Sequence, residues 1–415
     1  MNDWLQLPRD AQLALVAILG AIVGGQVNRG IYRLAWDARW IGPWSAPLPQ
    51  APPRRWTDRI PILGWFGLRR ESSLHGNGYW IRPLLIELML ACSFAWLYFD
   101  FVEHRIAVMQ DAGIAAFPED GLGQFLRLSL LLALMTIATF IDFDEQTIPD
   151  AVTVPGTIAA LALSAALPFS ALDLVVETEL QPLLLSSPLE WPAWLSAPEG
   201  LAIGIACLVL WCAALTPRTW TLRRGWRRGL QFAWASMFRN SLWWKYAILA
   251  GLLSSGAACV WSVGGVAWQS LLSALVGMAF GGGLVWIIRV IAGTVLAKEA
   301  MGFGDVTLMG MIGAFLGWQA SLVVFFLAPF VAMFVSLAQW ALTRRRDIAF
   351  GPYLCMGACL VVVRWDTIWD RTANLFQLGT LIPGILAFCF VAMGLMLYAW
   401  RLIESLLFGR SDQSE

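Results

Sequence analysis

Long apolar runs, separated by short polar stretches, alternate along this chain from residue 11 to residue 400. An apolar run of about 20 residues is the length that crosses a hydrocarbon layer as a helix. The pattern predicts about eleven helical spans, over 11–30, 83–101, 123–141, 150–169, 200–216, 246–266, 268–293, 305–317, 319–342, 349–364 and 378–400. The run at 305–317 is short for a bilayer, so its helix is expected to begin below the lipid surface or to be shielded by protein. The expected fold class is all-α, a polytopic helical membrane protein.

Composition points the same way. Hydrophobic residues make up 59% of the 415 and charged residues 13%, where a soluble chain carries about a quarter charged. Met1 to Asp10 lacks a basic start, and no small-residue cleavage site follows the first apolar run. A removed signal peptide is therefore not expected.

The net charge of zero hides an asymmetry. Arg29, Arg33, Arg39, Arg54, Arg55, Arg59, Arg69, Arg70 and Arg82 crowd residues 29–82, and Arg218 to Lys245 hold a second basic cluster. Lys298 and Arg344 to Arg346 follow, while the alternate loops carry Asp100, Glu103, Asp111, Asp173, Glu190 and Glu199. Positive loops stay in the cytoplasm. With eleven spans, the N-terminus is expected outside and the C-terminus inside. The charge gives no reason to expect a nucleic-acid partner.

All seven cysteines fall in expected spans, and the two histidines, His75 and His104, fall on opposite faces. A histidine-based zinc protease and an ordinary Ser-His-Asp triad are excluded on that topology.

Two acidic stretches stand out. "ATFIDFDEQTIPDAVTVPG" (138–156) ends the third span with Asp142 and Asp144, and Pro149 and Asp150 open the next. "EAMGFGDVTLMG" (299–310) sets Asp305 after Gly302-Phe303-Gly304. Glycine permits backbone conformations closed to other residues. An acid in a spanning segment costs roughly 2.5–3.5 kcal/mol, so each is either a helix cap or a reactive group. Both acids are expected at the cytoplasmic membrane face. Two carboxylates a few ångströms apart share a proton, the arrangement used by aspartyl proteases.

Six stretches in order resemble the prepilin peptidase (type IV leader peptidase) family of Gly-x-Gly-Asp membrane aspartyl proteases. They are "GGQVNRGIYRL" (24–34), "DRIPILGWFGLRR" (58–70), "IRPLLIEL" (81–88), "DFDEQTIPDAVTVP" (142–155), "KEAMGFGDVTLMGMIGAFLGW" (298–318) and "IAFGPYLCMGA" (348–358). The resemblance implies catalytic Asp142 and Asp305, supporting Asp144 and Asp150, and Gly302 and Gly304 shaping the turn. Glu87 stands where the family has a glutamate linked to methyl transfer. The implied activity is removal of the basic leader from prepilin or pseudopilin precursors at the cytoplasmic face of a bacterial inner membrane. Implied partners are the precursor, the lipid bilayer and secretion or pilus assembly proteins.

The chain departs from the family in three places. Residues 35–82 hold no cysteine, where relatives carry zinc-binding pairs, so no metal site is expected. Proteolysis needs no cofactor, and S-adenosylmethionine enters only if methyl transfer is retained. Thr307 replaces a common lysine. Residues 170–266 look inserted, and their basic stretch reads as a membrane-surface anchor or a docking site for a secretion partner.

The expected divisions are 1–34 (first span), 35–82 (basic cytoplasmic loop), 83–169 (core with the first aspartate motif), 170–266 (insertion with two spans), 267–364 (core with the second motif) and 365–415 (a further span and tail). The competing readings are a proton- or cation-coupled transporter using the same acids and a non-proteolytic assembly factor of the same family.

Overall fold

A computed structural model describes residues 7–47, 49–111, 113, 118–176, 179–216, 231, 243–296, 301–343, 349–379 and 381–407. Most of the second basic cluster, Lys298 and Arg344 to Arg346 lie outside these residues.

The described chain is helical almost throughout. The first half runs α1 (Arg9–Leu34), α2 (Leu63–Leu68), α3 (Ser72–His75), α4 (Ile81–Tyr98), α5 (Arg105–Asp111), α6 (Pro118–Glu145) and α7 (Asp150–Ala166). A short antiparallel hairpin, β1 (Asp173–Val176) and β2 (Glu179–Pro182), pairs Asp173 with Pro182. Then follow α8 (Pro198–Leu215), α9 (Trp243–Val263), α10 (Gly265–Leu296), α11 (Phe303–Thr343), α12 (Gly351–Val363), α13 (Trp365–Phe376) and α14 (Leu381–Leu407).

Eight of the described helices are long and apolar enough to cross a membrane, and α7 and α12 are shorter apolar helices. The chain is thus an α-helical, multi-pass membrane protein. A helix keeps every backbone hydrogen bond within the segment, which lipid demands. The expected spans 305–317 and 319–342 form one 41-residue element, broken at Gly317 by φ 84°, ψ 170°. That value lies in the region where glycine alone is unstrained.

The chain divides into two compact units. The first takes Met1–Leu163, Phe169–Pro182 and Ala328–Cys359. Within it α1 lies directly on α4: a Cβ on Gly20 would meet the Leu90 carbonyl oxygen at 2.6 Å, and one on Gly24 the Glu87 Cα at 2.7 Å. Polar ties reinforce the apolar contact, with Asn28 Nδ2 donating to Pro83 O (2.9 Å) and Tyr98 Oη to Gln12 Oε1 (2.6 Å). At the far end of α4 the chain stays helical through Phe99–His104. There Arg105 pairs with buried Asp173 at 2.8 Å, fastening the hairpin.

The second unit takes Ser164–Pro168, Leu183–Leu327 and Leu360–Glu415. Helix α10 packs backbone to backbone on the first half of α11. A Cβ on Gly277 would meet Gly313 O at 2.3 Å, and one on Gly281 would meet Met309 O at 2.5 Å. Small residues allow this approach where lipid supplies no hydrophobic drive between helices. The loop before α8 covers the same helices, with Trp318 Nε1 donating to Leu185 O (2.9 Å) and Gln319 Nε2 to Leu184 O (2.7 Å).

Candidate active site

Asp142 sits in the last turn of α6 and is 5% exposed. The helix stops there because Gln146 takes a positive φ of 54°, and Pro149 precedes the start of α7. The amide of Gly351, at the start of α12, donates to the Asp142 carboxylate. A Cβ on Gly351 would stand 2.5 Å from Asp142 Oδ2 and 2.8 Å from Ile148 Cδ1, so a side chain there displaces one or the other. The fold therefore joins two of the six motifs, the first acidic stretch and "IAFGPYLCMGA".

The three carboxylates at this helix end differ in their commitments. Arg82 Nη1 donates to both oxygens of Asp144, at 2.9 and 2.8 Å. The same guanidinium stacks 4.7 Å from the centre of the Phe140 ring. Glu145 accepts the amides of Trp36 (2.7 Å) and Asp37 (3.1 Å), which ties the chain leaving α1 to the end of α6. Asp142 Oδ2 is buried and has no hydrogen-bond partner among the described residues. A carboxylate with one oxygen bare and its surroundings apolar is suited to hold or share a proton. Asp150 is exposed in the first turn of α7, where the helix dipole favours an acid.

Asp305 lies in the first turn of α11 and is 7% exposed. Neither Gly302 nor Gly304 adopts a left-handed conformation. A Cβ on Gly302 would approach Asp305 Oδ2 to 3.8 Å, an ordinary contact. Thr307, buried, turns its hydroxyl back to Gly304 O at 3.1 Å. Asp142 belongs to the first compact unit and Asp305 to the second.

Glu87 is 2% exposed, and both of its oxygens are taken. Oε1 accepts from Trp65 Nε1 (2.8 Å) and Asn28 Nδ2 (3.2 Å), and Oε2 accepts the Ile62 amide (2.5 Å). Ile62 has φ 65°, ψ −60°, and Leu63 N bonds Pro61 O at 2.7 Å, which makes a γ-turn. Glu87 thus pins a strained turn of the basic loop onto α1 and α4. The rest of that loop is held by buried ion pairs. Arg70 clasps Asp58, whose Oδ2 also accepts the Arg55 amide at 2.7 Å, and Arg54 meets Glu71 at 3.1 Å. Burial pushes the Asp58 carboxyl up, but the bonds from Arg70 and Arg55 outweigh it and hold it below the usual carboxylate range. Among the described residues no three His, Cys, Asp or Glu side chains group in a way that could hold a metal. With no cysteine in the loop, the residues present do not fit the family's zinc site.

The pairing of Asp144 with Arg82, the Glu145 tie and the loop's ion pairs were not read from the sequence. The one local signal is Arg82, in the first turn of α4.

Residues 234–337, which include Asp305, match the Type IV leader peptidase family. The chain is 30% identical over 128 residues to the prepilin leader peptidase/N-methyltransferase of Aeromonas hydrophila, covering 30% of this chain and 38% of that protein. It is 32% identical over 102 residues to the protein of that name from Pseudomonas aeruginosa, covering 24% and 35%. For Escherichia coli K12 the figures are 32% over 92 residues, 22% and 41%. The match thus spans well under half the length of each of these relatives. No solved structure matches.

Proposed function

We propose that this chain, which resembles the type IV leader peptidase family, is a membrane aspartyl endopeptidase that uses Asp142 and Asp305. Its substrates would be prepilin or pseudopilin-like precursors, cut between basic leader and mature part at the cytoplasmic face of a bacterial inner membrane. The observation that carries the reading is the bare, buried Oδ2 of Asp142, beside two carboxylates already committed elsewhere.

In the proposed reaction one aspartate is ionised and takes a proton from water. That water attacks the scissile carbonyl. The other aspartate, protonated, donates to the carbonyl oxygen and then helps protonate the leaving nitrogen. Gly351 N–H orients the first carboxylate, and Arg82 keeps Asp144 out of the reaction. Gly302 and Gly304 are proposed to shape the chain at the start of α11.

The orientation proposed is N-terminus outside and C-terminus cytoplasmic. Reporter fusions after Arg70 should read cytoplasmic and those after Glu190 external. The basic segment 217–245 is proposed to anchor at the membrane surface, and an insertion relative to the family is proposed only before the matched stretch that starts at residue 234. We propose no metal and no cofactor for proteolysis. Because both Glu87 oxygens are bonded within the protein, efficient methyl transfer from S-adenosylmethionine is not proposed. Co-expression with a candidate precursor tests the whole reading: leader removal that disappears in Asp142→Asn and in Asp305→Asn supports it. Normal cleavage by either variant at normal membrane levels would overturn it.

A further inference from the structure

The basic loop between α1 and α4 carries an outer surface that proteolysis does not use. Trp36 is 96% exposed and Trp56 77%, and Trp40, Trp44, Leu63 and Phe66 are exposed with them. Arginines are interleaved among these rings. The Arg33 guanidinium lies 4.9 Å from the Trp40 ring centre, and that of Arg59 5.2 Å from Trp44. Arg39, Arg55, Arg59 and Arg69 are exposed.

The loop's acids do not balance this charge. Asp58 and Glu71 are buried against Arg70 and Arg54. Asp37 stands 3.9 Å from Arg39, an exposed pair that contributes little. The segment follows the last turn of α1 and is held to the end of α6 by Glu145, so its place beside the ends of these two helices is fixed. Tryptophan prefers the headgroup level, where an apolar ring meets a wet edge. Clustered arginines next to a span attract anionic lipid at ~1 kcal/mol each. These rings and charges follow directly on a helix long and apolar enough to span a membrane, so a lipid surface is within reach of both together and anionic headgroups complement the arginines.

We propose that the Trp36–Phe66 surface docks on the anionic phospholipid headgroups of the leaflet at which α1 ends. The rings insert at the headgroup boundary, and Arg39, Arg55, Arg59 and Arg69 pair with lipid phosphates. This proposal does not depend on the catalytic reading.

Footprinting tests it on the full chain, with one copy per nanodisc. Hydroxyl-radical oxidation is read tryptophan by tryptophan, in discs of phosphatidylcholine alone and in discs containing phosphatidylglycerol. Trp194 is the control, since it is also exposed but lies in a loop with Glu190 and Glu199 and no basic residue. Trp36, Trp40, Trp44 and Trp56 should each oxidise several-fold more slowly in the anionic discs, with Trp194 unchanged. The protection should fade as salt rises and should be lost in the Arg39→Gln/Arg59→Gln/Arg69→Gln variant. Soluble inorganic phosphate should not reproduce it. Equal oxidation in the two lipids, equal protection of Trp194, or protection only in discs holding two copies would overturn the proposal.

Discussion

The basic loop and the end of α6 both bury carboxylates, and they differ in the partners they supply. In the loop, Asp58 and Glu87 bond through both oxygens to arginine, indole or backbone amides, while Glu71 meets Arg54 through Oε2 and keeps Oε1 bare. At the end of α6, Asp142 receives one amide and keeps one buried oxygen bare. A buried charge is costly unless paired. The loop offsets that cost with arginines at Asp58 and Glu71 and with neutral donors at Glu87. The helix end has left it unmet, which is what a group that must change protonation needs. Neither burial nor a bare oxygen sets Asp142 apart, since Glu71 shares both and Glu103 also has a buried bare oxygen; the difference is that those two face arginines, whereas no ion pair to Asp142 is seen among the described residues.

Substitutions can break this comparison. The largest effect is expected for Asp142→Asn, which should lose cleavage on the order of a thousandfold or more, since a positioned acid or base contributes ~10²–10⁴-fold. Asp305→Asn should match it, and the double variant should be no worse, because groups acting as a unit are not additive. Leader processing in a co-expression assay reads all three.

Gly351→Ala should come next. Its methyl group would stand 2.5 Å from Asp142 Oδ2. A displacement of about 1 Å can cost ~100-fold, so cleavage should fall by about that much while the protein still inserts. Wild-type cleavage rates would show that the Gly351 contact does not position the acid.

Asp58→Ala sharpens the other side. It strands Arg70 and should cost the loop ~3 kcal/mol, seen as faster hydrogen exchange over 54–75. The loss of cleavage should be no more than the loss of folded protein explains. The pH dependence has a definite sign. Asp58 is held low in the folded state, so its stabilisation is complete above the ordinary carboxylate value of ~4 and is lost as pH falls through its lowered value. Protection of the loop amides, taken relative to their intrinsic exchange rates, should therefore fall on acidification below about pH 4 in the wild type, and this component should be absent from Asp58→Ala.

The smallest effect belongs to Asp144→Asn. Asp144 and Arg82 are both partly exposed, so breaking the pair should cost ~0.2–1 kcal/mol, and cleavage should stay within a few-fold of wild type. A loss as large as that of Asp142→Asn would make Asp144 the reacting group.

The helices were largely legible in the sequence, because lipid imposes a length and a polarity that apolar runs display directly. Even the break at Gly317 falls at the end of one expected run, just before the next begins. The β1–β2 hairpin and amphipathic α13 were not seen, since both lie between the apolar runs on which the reading rested. The loop's architecture was missed for a different reason: Arg54 meets Glu71 and Trp65 meets Glu87 only after folding, and neither pair has a local signature. At the site, motif order nominated Asp142, but order does not give proximity, so the contact with Gly351 was invisible. The glycines before Asp305 were expected to supply an unusual turn. They do not take left-handed angles, because α11 already begins at Phe303.

The break at Gly317 bears on biogenesis. The part of α11 before it, Phe303 to Leu316, rises only about 21 Å, too short to be taken up alone by machinery that selects spans of ~30 Å. It lies against α10 through Gly277 and Gly281, so it should enter the bilayer as a passenger of α10, after that helix is in place. Asp305 would then reach its depth by co-insertion and not by its own hydropathy. A Gly277→Val chain should leave residues 303–316 at the surface, open to thiol labelling at an introduced cysteine, with α10 itself still inserted.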